Sequence, residues 1–299
     1  MSEVMNNTAV SAKKKYKKRS PTMEIFHRLR KNKGAIIGGL IILLLIVLAL
    51  FCDVIYDYET DIIGQNIQAR FIKPCWEHPF GTDNLGRDLF ARVIYGTRAS
   101  LPVSFVAVMV GLALGMVSGA FAGFFGGKTE DIIMRFMDML AAVPGTLMAI
   151  ALVSVMGVSS MSLMISLGFT SMPSFARITR AAVLSVRNQE YVESAKAIGC
   201  SSPEIIFEHV IPNCLSPIIV QTSLRMGSAI ISASSLSYLG LGVPAPMPEW
   251  GSLLAAGRNF IRDNSYLTLF PGLAIMITVI AFNMLGDGLR DAMDPKLKK

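Results

Sequence analysis

Few residues in this 299-residue chain stand in patterns able to do chemistry, and each pattern points to a different kind. Gly123-Phe124-Phe125-Gly126-Gly127-Lys128-Thr129 comes within one residue of the phosphate-cradling loop G-x-x-x-x-G-K-[ST]. The first glycine would have to stand at position 122, which is Ala122. Such a loop must also follow a β-strand in an α/β domain, whereas an apolar run with regularly spaced glycines precedes it here. The segment is read as a turn, and the chain is not expected to bind ATP by itself. Serines are frequent, but no histidine or lysine lies in the apolar stretches to activate one as a nucleophile. Three histidines (His27, His78, His209) and four cysteines (Cys52, Cys75, Cys200, Cys214), without a Cys-x-x-Cys, give no metal-ligand spacing. A Cys52–Cys75 bridge is left open.

One polar constellation remains, Asn188 to Asn213. Tyr191, Ala195 and Ile198 recur at i, i+4, i+7, which places them on one helical face. Glu190, Glu193 and Lys196 point elsewhere, and Ser194, Ala195 and Ala197 keep the helix slim. Gly199 can take the left-handed conformation that ends a helix. A second short helix starts either with Ser202 as cap and Pro203 at its first position, or one residue earlier through a Ser201–Glu204 capping box. Pro212 is expected to stop it. The segment reads as a compact helix–turn–helix knob held between two membrane spans.

The elements that must position this knob follow from composition. Charged residues are 16% and apolar residues 52%, against roughly a quarter charged in soluble domains. A spanning helix needs about 20 apolar residues, and six such stretches are legible: 34–52, 101–125, 132–156, 161–186, 217–241 and 269–285. Residues 1–33 hold ten Lys and Arg, including Lys13-Lys14-Lys15 and Lys17-Lys18-Arg19. Basic residues flanking a span are retained in the cytoplasm, so topology explains this run better than a nucleic-acid arm. The tail is expected to be disordered up to about residue 20, with a short basic surface helix over 24–33. Lys296, Lys298 and Lys299 place the other terminus on the same side. Residues 53–98 carry seven acidic and five basic residues, a sign change that suits the external face. Four spans then return the chain inside, so the knob at 187–214 is expected in the cytoplasm.

Within the spans, Gly111, Gly115, Gly119 and Gly123 form a bare stripe for close helix packing. Arg135 and Asp138 at i, i+3 can pair, and Pro144-Gly145 marks a kink. Ser228, Ser232 and Ser235 at i, i+4, i+7 suit either the wall of a pore for a polar solute or close packing. The charges read within the spans stand near their ends. With no internal repeat, that argues against a secondary transporter, which needs an intramembrane ion site. Outside them, Thr82 or Asp83 is expected to cap a helix whose Leu85, Leu89 and Val93 share a face, with Asp83, Arg87 and Asp88 holding the segment by ion pairs.

Several of these blocks carry a family resemblance. Glu193-Ser194-Ala195, three residues, Gly199, nine residues and His209-Val210-Ile211-Pro212 resembles the "EAA" loop of ABC-importer permeases, E-A-A, three residues, G, nine residues, I-x-L-P. Ser194 replaces an alanine, Ile211 a leucine, and His209 an isoleucine, the last a change of chemistry. Gly81-Thr82-Asp83-Asn84-Leu85-Gly86-Arg87-Asp88, with Arg92, Gly96, Arg98 and Ser100-Leu101 downstream, resembles the C-type permease subunit of dipeptide, oligopeptide and nickel importers. So do Leu239-Gly240-Leu241-Gly242-Val243 with Pro248-Glu249-Trp250-Gly251, and Gly286-Asp287-Gly288-Leu289-Arg290-Asp291 with Asp294-Pro295. The resemblance covers roughly residues 78–295.

It implies an all-α integral membrane protein: a six-helix ABC-importer transmembrane domain of the type I importer fold, with a cytoplasmic coupling-helix loop. Residues 1–33 would be the basic tail, 34–52 the first span, 53–98 an extracytoplasmic segment and 99–299 the permease core. The implied function is that of a peptide-importer permease in the bacterial inner membrane, with a nickel importer as the alternative. Its implied partners are a second related permease, two cytoplasmic ATPases that bind the ATP, and an external solute-binding protein, with no cofactor of its own. The coupling loop would use Glu190, Tyr191, Glu193, Ala195, Lys196, Ala197, Gly199, His209 and Pro212.

Overall fold

The computed structural model describes residues 26–293, and the basic tail at 13–19 and the lysines after Asp294 lie outside them. The described residues are helical apart from loops and an isolated Thr82–Asp88 bridge. Four helices are long and apolar enough to cross a membrane, or five if one bent pair counts as a single span.

The first of these, α1 (Lys33–Ile55), starts at Asn32, whose Oδ1 accepts the Ala35 N–H at 3.1 Å. The second, α2 (Leu89–Phe125), is capped by Asp88, whose Oδ1 accepts the Ala91 N–H at 2.8 Å. The cap is thus neither Thr82 nor Asp83. Asp83 Oδ1 instead accepts the N–H groups of Leu85 and Arg87 at 2.8 and 3.0 Å, closing a tight loop that keeps Leu85 off the helix. Between Leu89 and Phe125 only Pro102 interrupts the helix-compatible sequence, so the expected surface helix and second span are one 37-residue rod.

After Gly126 and Gly127, both at positive φ, come α3 (Gly127–Ala142) and α4 (Gly145–Met156). The near match to a phosphate loop is this turn. The expected kink in one span is a break of 89° between two helices. Pro144 disfavours the helical conformation in the residue before it, and Val143 is extended at φ −86°, ψ 129°.

The next helix, α5 (Ser160–Val186), is 27 residues long but is not apolar enough to count as a spanning helix by composition. Its two arginines pair with acidic residues of α3. Arg177 Nη2 donates to Asp138 Oδ1 at 2.8 Å and Arg180 Nε to Glu130 Oε1 at 2.6 Å. Asp138 therefore pairs across to α5 and not with Arg135, because the α3–α5 approach offers a guanidinium at better range. Against α2 the glycine stripe does what its spacing predicts. A Cβ on Gly115 would lie 2.5 Å from the Phe175 Cβ, and one on Gly119 2.2 Å from the Ala176 carbonyl oxygen. Only bare backbone permits this approach.

A short helix α6 (Glu190–Ala197) leads into turns at Ser202–Glu204, Ile205–Val210 and Ile211–Cys214, and then α7 (Leu215–Tyr238). The chain closes with α8 (Trp250–Gly257) and α9 (Tyr266–Met293). Gly38 of α1 lies against the Ala281 carbonyl of α9, and Asn32 Nδ2 donates to Asp291 Oδ2 at 3.2 Å. The start of α1 and the end of α9 thus share one end of the bundle. Gly286 meets Leu224 and Gly227 meets Val279, so α7 runs antiparallel to α9 and begins at that same end.

The opposite end is a clamp. Trp250, 1% exposed, donates from Nε1 to the Val93 carbonyl at 2.9 Å, while Ser100 Oγ donates to the buried Glu249 carboxylate at 3.2 Å. Arg87 Nη2 pairs with Asp83 Oδ2 at 2.7 Å, and the Tyr266 hydroxyl donates to the Thr82 carbonyl at 3.0 Å. The expected ion-pair role of the 83–88 segment is realised here. Cys52 is buried beside Ile62 and Tyr95, Cys75 is exposed, and the two are not bridged.

Candidate functional site

The knob at 190–214 is built from short-range signals. Gly199 sits at φ +88°. The Gly199 N–H reaches the Lys196 carbonyl and the Cys200 N–H the Ala195 carbonyl, both at 3.1 Å, which is the paired closure of a Schellman turn. Ser201 is the cap of the following helix: Glu204 Oε2 accepts its N–H at 3.2 Å, which settles the start one residue before Ser202.

Pro212 does not stop this helix. The chain widens into a π-turn over Ile205–Val210, tightens into a 3₁₀ turn over Ile211–Cys214 and continues as α7. Pro212 falls at the second position of the 3₁₀ turn, where its missing N–H is not called on. The second half of the knob, from Ser202, and the fifth span are therefore one continuous helical path. His209 sits half-buried in the π-turn, its carbonyl accepting from Asn213 Nδ2 at 2.7 Å.

What anchors the knob is an apolar plug. Val192, Ala195, Ile205, Ile206, Val210 and Ile211 pack with Ala120 of α2 and Val183 of α5. Ala195 belongs to that plug, but Tyr191 and Ile198, grouped with it by spacing, do not: they are 40% and 80% exposed. The register that buries Val192 and Ala195 turns Tyr191 outward, and Ile198 lies beyond the last helical residue. Lys196 leans back to the bundle, its Nζ 5.3 Å from the Phe124 ring centroid. Glu190, Glu193 and Ala197 are exposed. The outer surface of α6 and its closing turn thus carries the carboxylates of Glu190 and Glu193 beside exposed Tyr191 and Ile198. Such a mixed surface is suited to docking a partner.

The serine stripe of α7 divides. Ser228 and Ser232 line a cleft of about 290 Å³ together with Thr146, Thr170, Ser171 and Arg225. Ser235 faces a different hollow, beside Ile231, Tyr238 and Leu254. Two residues of the stripe, which suited either a pore wall or close packing, are brought together and the third is not, because i, i+4, i+7 drifts around a helix that has different neighbours at each level. Arg225 was overlooked on sequence. It stands well inside α7, contrary to the expectation that span charges keep to the ends. A charge eleven residues into a 24-residue apolar helix was the available signal.

Comparison with known proteins agrees with this architecture. Residues 111–299 match the family described as the binding-protein-dependent transport system inner membrane component, and residues 20–74 match the N-terminal TM domain of oligopeptide transport permease C. The dipeptide transport system permease protein DppC of Alkalihalophilus pseudofirmus is 44% identical over 279 residues, covering 93% of this chain and 91% of that protein. The glutathione transport system permease protein GsiD of Pectobacterium atrosepticum is 41% identical over 280 residues, covering 94% and 93%. Among solved structures, an inward-facing conformation of the MetNI methionine ABC transporter aligns with a TM-score of 0.56 at 15% identity, over 68% of this chain and 96% of that one. At that identity the likeness speaks for the fold alone, which is the transmembrane fold of a type I importer. Extensive family coverage, close relatives aligned nearly end to end and a shared helical bundle together lead to one conclusion: this chain belongs to the family of binding-protein-dependent transport system inner membrane components.

Proposed function

We propose that the chain is the permease half of an ATP-driven importer of di- and oligopeptides, and that the 190–214 knob is where it receives force from a cytoplasmic ATPase. The observation that carries this reading is the division of the knob's surface. Its inner face is packed into the ends of α2 and α5, while Glu190, Tyr191, Glu193 and Ile198 face outward, their side chains making no hydrogen bond or ion pair among the described residues. A rigidly seated element with an unused mixed surface suits the transmission of displacement from a partner.

Because the knob continues directly into α7, a push on it reaches the helix that lines the Ser228–Ser232 cleft. ATP binding would draw two ATPases together, each gripping a knob on one of two related permeases, and the paired bundles would rock between inward-open and outward-open arrangements. Nucleotide can drive this only if it favours one arrangement differentially. An external binding protein would deliver the solute. The knob shares its end with the start of α1 and the end of α9, the two termini that the flanking lysines assign to the cytoplasm in an inner membrane.

Peptides are favoured over nickel by the relatives that match most of the chain, one named for dipeptides and one for glutathione, a tripeptide. No group of three or more metal-ligating side chains occurs among the described residues. The deciding test is reconstitution with ATPase and binding-protein partners, with a single cysteine placed at the exposed position 197. ATP-dependent peptide uptake is expected, with labelling of that cysteine only from the ATPase side. Uptake without ATP, or labelling from the binding-protein side, overturns the proposal.

A further inference from the structure

Among the described residues the guanidinium of Arg225 has no carboxylate to answer it. Its Nη2 donates to Ser174 Oγ at 2.5 Å, an oxygen also approached by Gln221 Nε2 at 3.2 Å. Among the described residues, no acidic side chain pairs with it. An arginine placed inside a membrane helix is costly unless it faces water, a partner or a solute, and a guanidinium offers five donors of which one hydroxyl occupies few.

Arg225 also stands where space converges. The 290 Å³ cleft and a neighbouring one of about 200 Å³ share Gly145, Thr170 and Arg225. These cavities meet at the break between α3 and α4, and no carboxylate lines either of them. The second cavity carries a further guanidinium, Arg177, already paired with Asp138. Ser228 and Ser232 continue the polar face of α7 beyond Arg225 at i+3 and i+7. The surroundings are therefore positive and hydroxyl-rich, which attracts an anion and repels an ammonium group.

We infer that Arg225 receives the C-terminal carboxylate of a peptide passing through the cleft, a reading that rests on the peptide-importer assignment. A path that accepts varied side chains can depend only on features common to every peptide, and the C-terminal carboxylate is the one negative charge all of them carry. Arginine matches a carboxylate with two parallel N–H donors, and the cleft hydroxyls can bond the adjoining peptide groups.

The test uses the complete importer in proteoliposomes with its binding protein and ATPases. Uptake of L-alanyl-L-alanine is compared with uptake of its C-terminal amide, at binding-protein occupancies matched by titration. The wild-type complex is expected to prefer the free carboxylate about tenfold. Arg225→Gln is expected to bring that ratio close to one while the second permease still co-purifies. A ratio unchanged in Arg225→Gln overturns the inference. So does loss of the second permease from that variant, which would make Arg225 the partner of an acidic residue across the interface. Should Arg225→Gln not accumulate, Arg225→Lys decides: a ratio reduced about threefold is expected, because a point charge replaces the paired donors, and an unchanged ratio overturns the idea. A wild-type complex that hydrolyses ATP but moves neither peptide removes the peptide assignment itself, a failure distinct from that of the arginine alone.

Discussion

Where α2 begins, Trp250, Glu249, Asp83 and Tyr266 each contribute to hydrogen bonds or ion pairs that tie the loops and helices of that end together, several of them buried. Where α2 finishes, the knob is held chiefly by apolar packing around Val192 and Ile206, with one cation–π approach from Lys196. The first end uses its polar groups internally; the knob leaves Glu190 and Glu193 facing outward, although its neighbours α2, α3 and α5 are still tied by Arg180 to Glu130 and by Arg187 to the Gly123 carbonyl. Directional bonds fix one geometry, whereas an apolar plug holds an element in place while tolerating small shifts. This contrast suits a bundle with one end held rigid and the other open to a moving partner.

The largest expected effect lies at the clamp. Trp250→Ala removes a fully buried aromatic and its bond to Val93, and should cost about 3–5 kcal/mol. Thermal unfolding of the detergent-solubilised chain would read this, and a loss below about 1 kcal/mol would break the comparison. Asp83→Ala leaves Arg87 and the buried Arg92 without their carboxylate and should cost about 3 kcal/mol by the same measurement.

The knob should behave differently. Gly199→Val forces a β-branched residue to φ +88°, a strain of about 1–3 kcal/mol, although a Cβ there meets nothing within 4 Å. The damage should appear as ATP hydrolysis without uptake, in a chain that still inserts and accumulates. Smallest in stability, within about 0.5 kcal/mol, are Ile198→Ala and Glu193→Lys. Both should weaken co-purification of the ATPase. If either unfolds the chain as Trp250→Ala does, the two ends do not differ in the way described.

Several features were legible in the chain because they depend on local stereochemistry. Gly199 closes a helix since few other residues adopt its φ, and Glu204 follows Ser201 at the spacing that completes a capping box. The four-residue glycine period on α2 fixed a bare face whatever its neighbour was to be. The run of apolar stretches fixed the membrane, since charge and hydropathy are additive along the chain.

Other features were decided only by what each residue met across the bundle. Asp138 chose Arg177 over Arg135 because α5 brought the better partner within reach. Asp88 took the cap of α2 because Asp83 was already bonded to its own loop. Pro212 lies inside a continuing helix because the π-turn before it shifted the backbone register. Ser228 and Ser232 came to line a cleft with Arg225 while Ser235 did not, since helical spacing defines a face but not what that face meets. Sequence determines conformations that a residue and its near neighbours settle among themselves. Pairings between distant groups compete with one another, and only the packed arrangement of helices selects among them.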